Sequence, residues 1–169
     1  PTQEFARSAM REASELFALA DASMLNLENV FGNADEHTPI VKNGPNLISS
    51  PIFAEYLRAL RPTVVGLANN HTKDFGEAPM LFTKELLEKD GMSVIGAGKN
   101  IEEAYRPAFL EKDGVKLSIL AVCENEFGGA GENTPGTAAY RLSLVTREIL
   151  RAKEAGELPI LYLHTGHEG

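Results

Sequence analysis

Cysteine is nearly absent: Cys123 is the single one in 169 residues, and there is no tryptophan. One cysteine excludes an internal disulfide framework and a cysteine-rich zinc site. It closes the run Leu117-Ser118-Ile119-Leu120-Ala121-Val122, where a small thiol is expected to be buried and structural. Also missing are an apolar span of about 20 residues and a signal-peptide pattern. Basic residues are outnumbered, 16 Lys and Arg against 24 Asp and Glu, and the net charge of −8 is spread along the chain. Without a basic footprint, nucleic acid is not expected as a partner. No Gly-x-Ser-x-Gly elbow occurs, so serine hydrolase chemistry has no support. The segment Val94-Ile95-Gly96-Ala97-Gly98-Lys99-Asn100 fails both nucleotide patterns: a third glycine would have to stand at Ile101, and Lys99 is followed by Asn rather than Ser or Thr. A close strand-to-helix turn is enough to explain its glycines. No internal repeat or low-complexity tract is present.

What remains is an ordinary globular composition, 43% apolar, enough for one domain with its own core. Ala9, Ala13, Leu16, Phe17 and Ala20 share a helical face, predicting an amphipathic helix over residues 3–20. Residues 23–27 read as a short strand ending at Glu28, and 32–49 as a long irregular loop. Ser50-Pro51 predicts a helix start, with the hydroxyl as N-cap, running to Leu60 before Pro62. Thr63–Ala68 reads as the central strand, followed by a helix from Glu77 to Asp90 that Gly91 stops. Ser93–Ala97 is a further strand, and Asn100 with Glu103 imitates a capping box. Asp113-Gly114 between two apolar runs is the strongest hairpin signal in the chain. Residues 128–136 form a glycine-rich loop, Leu144–Ala155 a last helix and Pro159–Leu163 a last strand. The alternation implies an α/β fold with a mostly parallel sheet and one antiparallel hairpin attached.

Three of these strands end in polar groups that an ordinary loop does not need. Asn26 and Glu28 follow the first, Asn69-Asn70-His71 the central one, and His164 and Glu168 the last. In open α/β sheets the carboxyl ends of strands are where ligands are met. Carboxylate, amide and imidazole donors together favour a transition metal, Mn, Zn or Fe, over calcium. A solvated carboxylate at Glu28, a turn amide at Asn70 and structural histidines at 71 and 164 are the plain alternatives.

The stretch Leu67-Ala68-Asn69-Asn70-His71-Thr72-Lys73-Asp74-Phe75-Gly76 resembles the Asn-His signature of calcineurin-like metallophosphoesterases. Its form is similar to the branch called CapA, the capsule or poly-γ-glutamate synthesis family. Three further segments resemble that family in the same order. They are Asn26-Leu27-Glu28, Gly96-Ala97-Gly98-Lys99-Asn100 with Glu103-Ala104 and Pro107, and His164-Thr165-Gly166-His167-Glu168. The resemblance implies a four-layer αββα sandwich of calcineurin-like metallophosphoesterase type. It also implies a two-metal site in which Glu28 bridges, Asn70 and His164 ligate, and His71 acts as general acid or oxyanion donor. Asp74 would orient the turn or the histidine, while Asn26, Asn69 and Glu168 would line the site.

The family's first metal motif, an Asp near the first strand, would precede Pro1, and its Gly-His-x-His motif would follow Gly169. Residues 1–169 are therefore expected to be an incomplete internal segment of a longer domain. The position of Thr165 is commonly aromatic in the family, so one wall of the pocket differs. The function expected by resemblance is metal-dependent phosphoester hydrolysis within capsule or poly-γ-glutamate synthesis. The alternative is a non-catalytic accessory protein of anionic polymer biosynthesis or export that retains the fold. The implied partners are an anionic polymer or phosphoester substrate and other capsule-synthesis subunits, with self-association of the segment through uncovered edges. The implied location is the cell envelope or its outer face.

Overall fold

A computed structural model of the chain describes residues 3–125 and 127–166. In chain order the elements are α1 Gln3–Ala18, β1 Met24–Asn26, β2 Val30–Phe31, β3 Ile48–Ser49, α2 Ala54–Leu60, β4 Val64–Gly66, α3 Glu77–Lys89 and β5 Ser93–Ile95. They continue with β6 Ala97–Gly98, α4 Ile101–Ala104, β7 Ala108–Lys112, β8 Val115–Cys123, β9 Gly136–Thr137, α5 Leu142–Glu154 and β10 Leu158–His164. The architecture is mixed α/β.

Two three-stranded sheets carry it. The first, in the order β1-β4-β5, is wholly parallel with β4 at its centre. Val64, Val65 and Gly66 are buried, as a continuous apolar run in a covered parallel strand requires. The second has the order β10-β8-β7. β8 and β10 run parallel in register from Leu117↔Leu158 to Cys123↔His164, and β7 and β8 form the antiparallel hairpin. Asp113 and Gly114 both have positive φ, 50° and 81°, the geometry of the primed two-residue turn that their identities predict. The hairpin thus belongs to a separate sheet with β10, not to an extension of the first. Local alternation specifies the faces of a strand but not its neighbours, which is why one sheet was the simpler expectation.

The period of two along each strand sorts side chains between packing layers. Val64, Ala68 and Ile95 of the first sheet side meet Ala108, Ile119, Ala121 and Cys123 of the second, so the two sheets face each other. Val65, Leu67 and Val94 point the other way, onto Ala54 and Leu57 of α2 and Met80 and Leu87 of α3. Leu120 and Val122 of β8 pack with Val145 of α5, Ala104 and Tyr105. Cys123 is buried in the layer between sheets.

Several expected boundaries move for local reasons. The strand predicted over Ser93–Ala97 breaks at Gly96, whose φ of 84° turns the chain so that β6 pairs with β9. A side chain there would put its Cβ 2.6 Å from Ala68 Cβ. Ser50 does not cap with its hydroxyl; Pro51–Phe53 instead form a 3-10 turn ahead of α2, closed by the Phe53 N–H on the Ser50 carbonyl at 3.0 Å. α3 ends as expected at Gly91, with Gly91 N–H on Glu88 O at 3.0 Å and Met92 N–H on Leu87 O at 3.2 Å, the paired bonds of a Schellman stop. Asn100 caps α4 by accepting from Glu103 N–H at 2.9 Å, and Glu103 reaches back to Lys99 N–H at 3.3 Å. Among the described residues no helix is long and apolar enough to cross a membrane.

Candidate functional site

β1 and β4 lie side by side in parallel, with Asn26 opposite Gly66, so both strands release their chains at the same edge. Beyond β4 the residues 69–75 coil into successive turns, with Asp74 N–H on His71 O at 3.1 Å and Gly76 N–H on Lys73 O at 3.0 Å. Asn69 stitches this turn to the end of β1. It is 2% exposed, and its amide donates to Asn26 Oδ1 at 3.1 Å and to the Leu27 carbonyl at 2.9 Å. Its own oxygen accepts the His71 N–H at 3.0 Å. The Thr72 hydroxyl, with one proton to give, reaches both the Leu67 carbonyl and Asn69 Oδ1. With these polar atoms engaged inside the protein, Asn69 underlies the site and sets the direction of the residues that follow.

Asn26 passes this order on: its amide donates to Glu28 Oε2 at 3.3 Å. The other oxygen, Glu28 Oε1, lies 3.7 Å from His164 Nε2, and His164 Nε2 is 3.1 Å from Asn70 Oδ1. His164 ends β10 directly beside Cys123, and its carbonyl accepts from Glu124 N–H at 3.1 Å. The structure therefore brings together a carboxylate oxygen, an amide oxygen and an imidazole nitrogen from two different sheets. Ligand atoms held about 2.1 Å from one ion stand roughly 3–3.5 Å from one another; the His164–Asn70 separation falls in that range and the His164–Glu28 separation lies above it. Among the described residues no group of three His, Cys, Asp or Glu side chains is placed to hold a metal; this cluster has two such side chains and an amide. Glu168, expected to line the site, and His167 lie outside the described residues.

His71, next to Asn70, is buried with Nδ1 2.7 Å from Asp74 Oδ2. The spacing of three residues, with Thr72 and Lys73 between, is one helical-type turn and brings the carboxylate to the ring. Asp74 is fully buried. Its Oδ2 also accepts the Leu47 N–H at 2.7 Å, and its Oδ1 forms an ion pair with Lys42. An ionised carboxylate only accepts, so this contact calls for a proton on the imidazole Nδ1, a nitrogen that the Lys42 ammonium also approaches at 3.1 Å. Lys73 is drawn aside, donating to the Pro135 carbonyl at 2.8 Å in the glycine-rich loop.

Lys42 and Leu47, both from the loop between β2 and β3, are contributors that sequence reasoning did not single out. Nothing in their local pattern pairs them with a carboxylate some thirty residues ahead. Phe127, whose ring lies 5.4 Å below the Lys42 ammonium, was equally unmarked.

Comparison with known proteins gives the chain its relatives. The family model described as "Bacterial capsule synthesis protein PGA_cap" matches residues 3–169. The chain is 25% identical over 175 residues to a protein of Bacillus subtilis named "PGA biosynthesis protein CapA", covering 98% of this chain and 44% of the relative. It is 30% identical over 162 residues to a "Probable polyglutamine synthesis accessory protein" of Mycobacterium tuberculosis, covering 86% of this chain and 41% of that one. Among solved structures, the NAD nucleotidase of Haemophilus influenzae matches with a TM-score of 0.50 at 18% identity, over 68% of this chain and 21% of that chain. That likeness is one of fold. The chain thus spans less than half the length of these curated relatives, and it belongs to the bacterial capsule synthesis protein PGA_cap family.

Proposed function

We propose that the chain forms part of a CapA-like capsule or poly-γ-glutamate synthesis protein whose site performs metal-dependent phosphoester hydrolysis. The observation that carries this reading is the meeting of Glu28 Oε1, Asn70 Oδ1 and His164 Nε2 beside a buried His71–Asp74 pair. Ligand-type atoms and a proton-transfer group stand at one strand-end edge, where a hydrolytic site needs both. Glu28, Asn70 and His164 would hold the cation, and Mn, Zn or Fe suits their mixture of donors; the reading includes a second metal in the whole protein, bridged by Glu28. A metal held there supplies Lewis acidity toward a phosphoryl oxygen and hydroxide at neutral pH. Asp74 fixes the ring through Nδ1, and His71, carrying a proton on each nitrogen in that step, would deliver the Nε2 proton to the leaving oxygen or hydrogen-bond the developing charge.

The packing order helix, sheet, sheet, helix supports the four-layer αββα sandwich as the fold of the whole domain. The reading further takes an anionic polymer or phosphoester as substrate, other capsule-synthesis subunits as partners, and the cell envelope as the location. The deciding experiment is metal analysis of the whole protein paired with phosphodiesterase and phosphomonoesterase assays. Stoichiometric transition metal with metal-dependent turnover is expected; a metal-free protein inert in both assays would end the proposal.

A second reading draws on the same site. Only two ionisable ligands converge among the described residues, and one relative is named as an accessory protein. A non-catalytic accessory role, in which the fold binds polymer or subunits, would show as poly-γ-glutamate binding without cleavage of any phosphoester.

A further inference from the structure

Lys42 has no part in the hydrolytic scheme above, yet it is built into the centre of the site. It rises from the loop between β2 and β3, and its side chain is 7% exposed. The ammonium pairs with Asp74 Oδ1, lies 3.1 Å from His71 Nδ1 and stands over the Phe127 ring. Nδ1 can serve only one of these neighbours at a time, as an N–H donor to Asp74 Oδ2 at 2.7 Å or as an acceptor from the ammonium at 3.1 Å. The shorter contact with the carboxylate favours the first, and Lys42 then meets Asp74 Oδ1, an oxygen with no hydrogen-bond partner among the described residues, as an ion pair. By occupying Oδ1 it leaves Oδ2 to His71 Nδ1 and Leu47 N–H, and it balances a charge held away from water. The same bond pins the loop against the turn that carries Asn70 and His71, a link repeated by Ile40 N–H on the Asp74 carbonyl at 2.8 Å.

We propose that Lys42 is a positioning residue: by clamping the Asp74 carboxylate it holds His71 as the Nδ1–H tautomer, with Nε2 as the atom that meets substrate. The last clause rests on the hydrolytic reading; the tautomer lock does not. Without the ammonium, the buried carboxylate has lost its charge partner and one of its fixed directions. The imidazole is then free to exchange tautomers or leave the carboxylate.

The test is 15N NMR of the histidine rings in the whole protein, recorded for the native chain, K42M and K42R. In its neutral form the native His71 should show a protonated, pyrrole-type Nδ1 and an unprotonated, pyridine-type Nε2. K42R should keep that pattern, and K42M should average or reverse it while thermal unfolding remains cooperative. In the phosphoester assay K42M should lower kcat by about 10- to 100-fold with KM within about twofold, and K42R should recover most of the loss. A native His71 protonated on Nε2, or unchanged ring nitrogens in K42M, would overturn the proposal. K42Q replaces K42M if the latter does not fold. Should the native protein hydrolyse nothing, the hydrolytic reading falls, while the nitrogen spectra still decide the role of Lys42.

Discussion

His164 offers Nε2 to Asn70 Oδ1 and Glu28 Oε1, whereas His71 commits Nδ1 to a buried carboxylate. On the hydrolytic reading, these different neighbours set the two imidazoles to different tasks. In the whole protein His164→Ala should lower bound metal, measured by elemental analysis. His71→Ala should leave metal content unchanged and slow turnover by about 10²–10⁴-fold; full activity in that variant would exclude the acid role. A second residue-scale effect lies away from the site. Tyr105 is 1% exposed, its hydroxyl donates to the Ala139 carbonyl, and burial pushes the phenol up from 10.0 to about 12, partly offset by the nearby Arg141. The folded state therefore holds this proton more tightly than the unfolded chain. Its contribution, at most about 3 kcal/mol, is fully present below about pH 10 and is lost as pH rises from about 10 to 12. Tyr105→Phe should remove that alkaline loss in urea titrations, at the expense of the hydrogen bond at neutral pH.

At the scale of elements, the β7–β8 hairpin depends on two consecutive positive φ angles. Nothing lies within 4 Å of where a Cβ on Gly114 would sit, so Gly114→Ala isolates backbone strain from packing. It should destabilise by about 1–2 kcal/mol in equilibrium unfolding; a neutral result would show that the turn relaxes to another type. This hairpin was legible in the sequence because turn chemistry is local, as was the stop of α3 at Gly91. The polar strand ends were legible too, since an apolar run that closes on Asn-Asn-His is unusual whatever its neighbours. The separation into two sheets was not, because alternation does not say which strands pair. Lys42 was hidden for a related reason. An ion pair closing a loop of some thirty residues leaves no periodicity, and a lysine in a loop ordinarily means solvent.

For the whole molecule, the proposed reading makes the described cluster one part of a metal shell, and the chain covers less than half of its curated relatives. Catalysis needs metals fixed in number and geometry, so residues 1–169 in isolation are expected to be catalytically silent. Robust metal-dependent phosphoesterase activity from this chain alone would show that the ligand set is wrong. On β10, which pairs with β8 on one side, Leu158, Ile160, Leu161 and Leu163 are 40–58% exposed. An apolar edge of that kind invites further strands, and sedimentation velocity on the isolated chain should show concentration-dependent association.

The contact between His164 and Asn70 joins positions 94 residues apart, and His164 stands at the end of β10. Synthesis proceeds from the N-terminus at about 5–20 residues per second, so the ribosome must deliver β10 before the three donors can meet. A nascent chain carrying Glu28, Asn70 and His71 in folded form would still be unable to complete the cluster. On the proposed reading, capture of a cation by this cluster therefore waits until both sheets have docked.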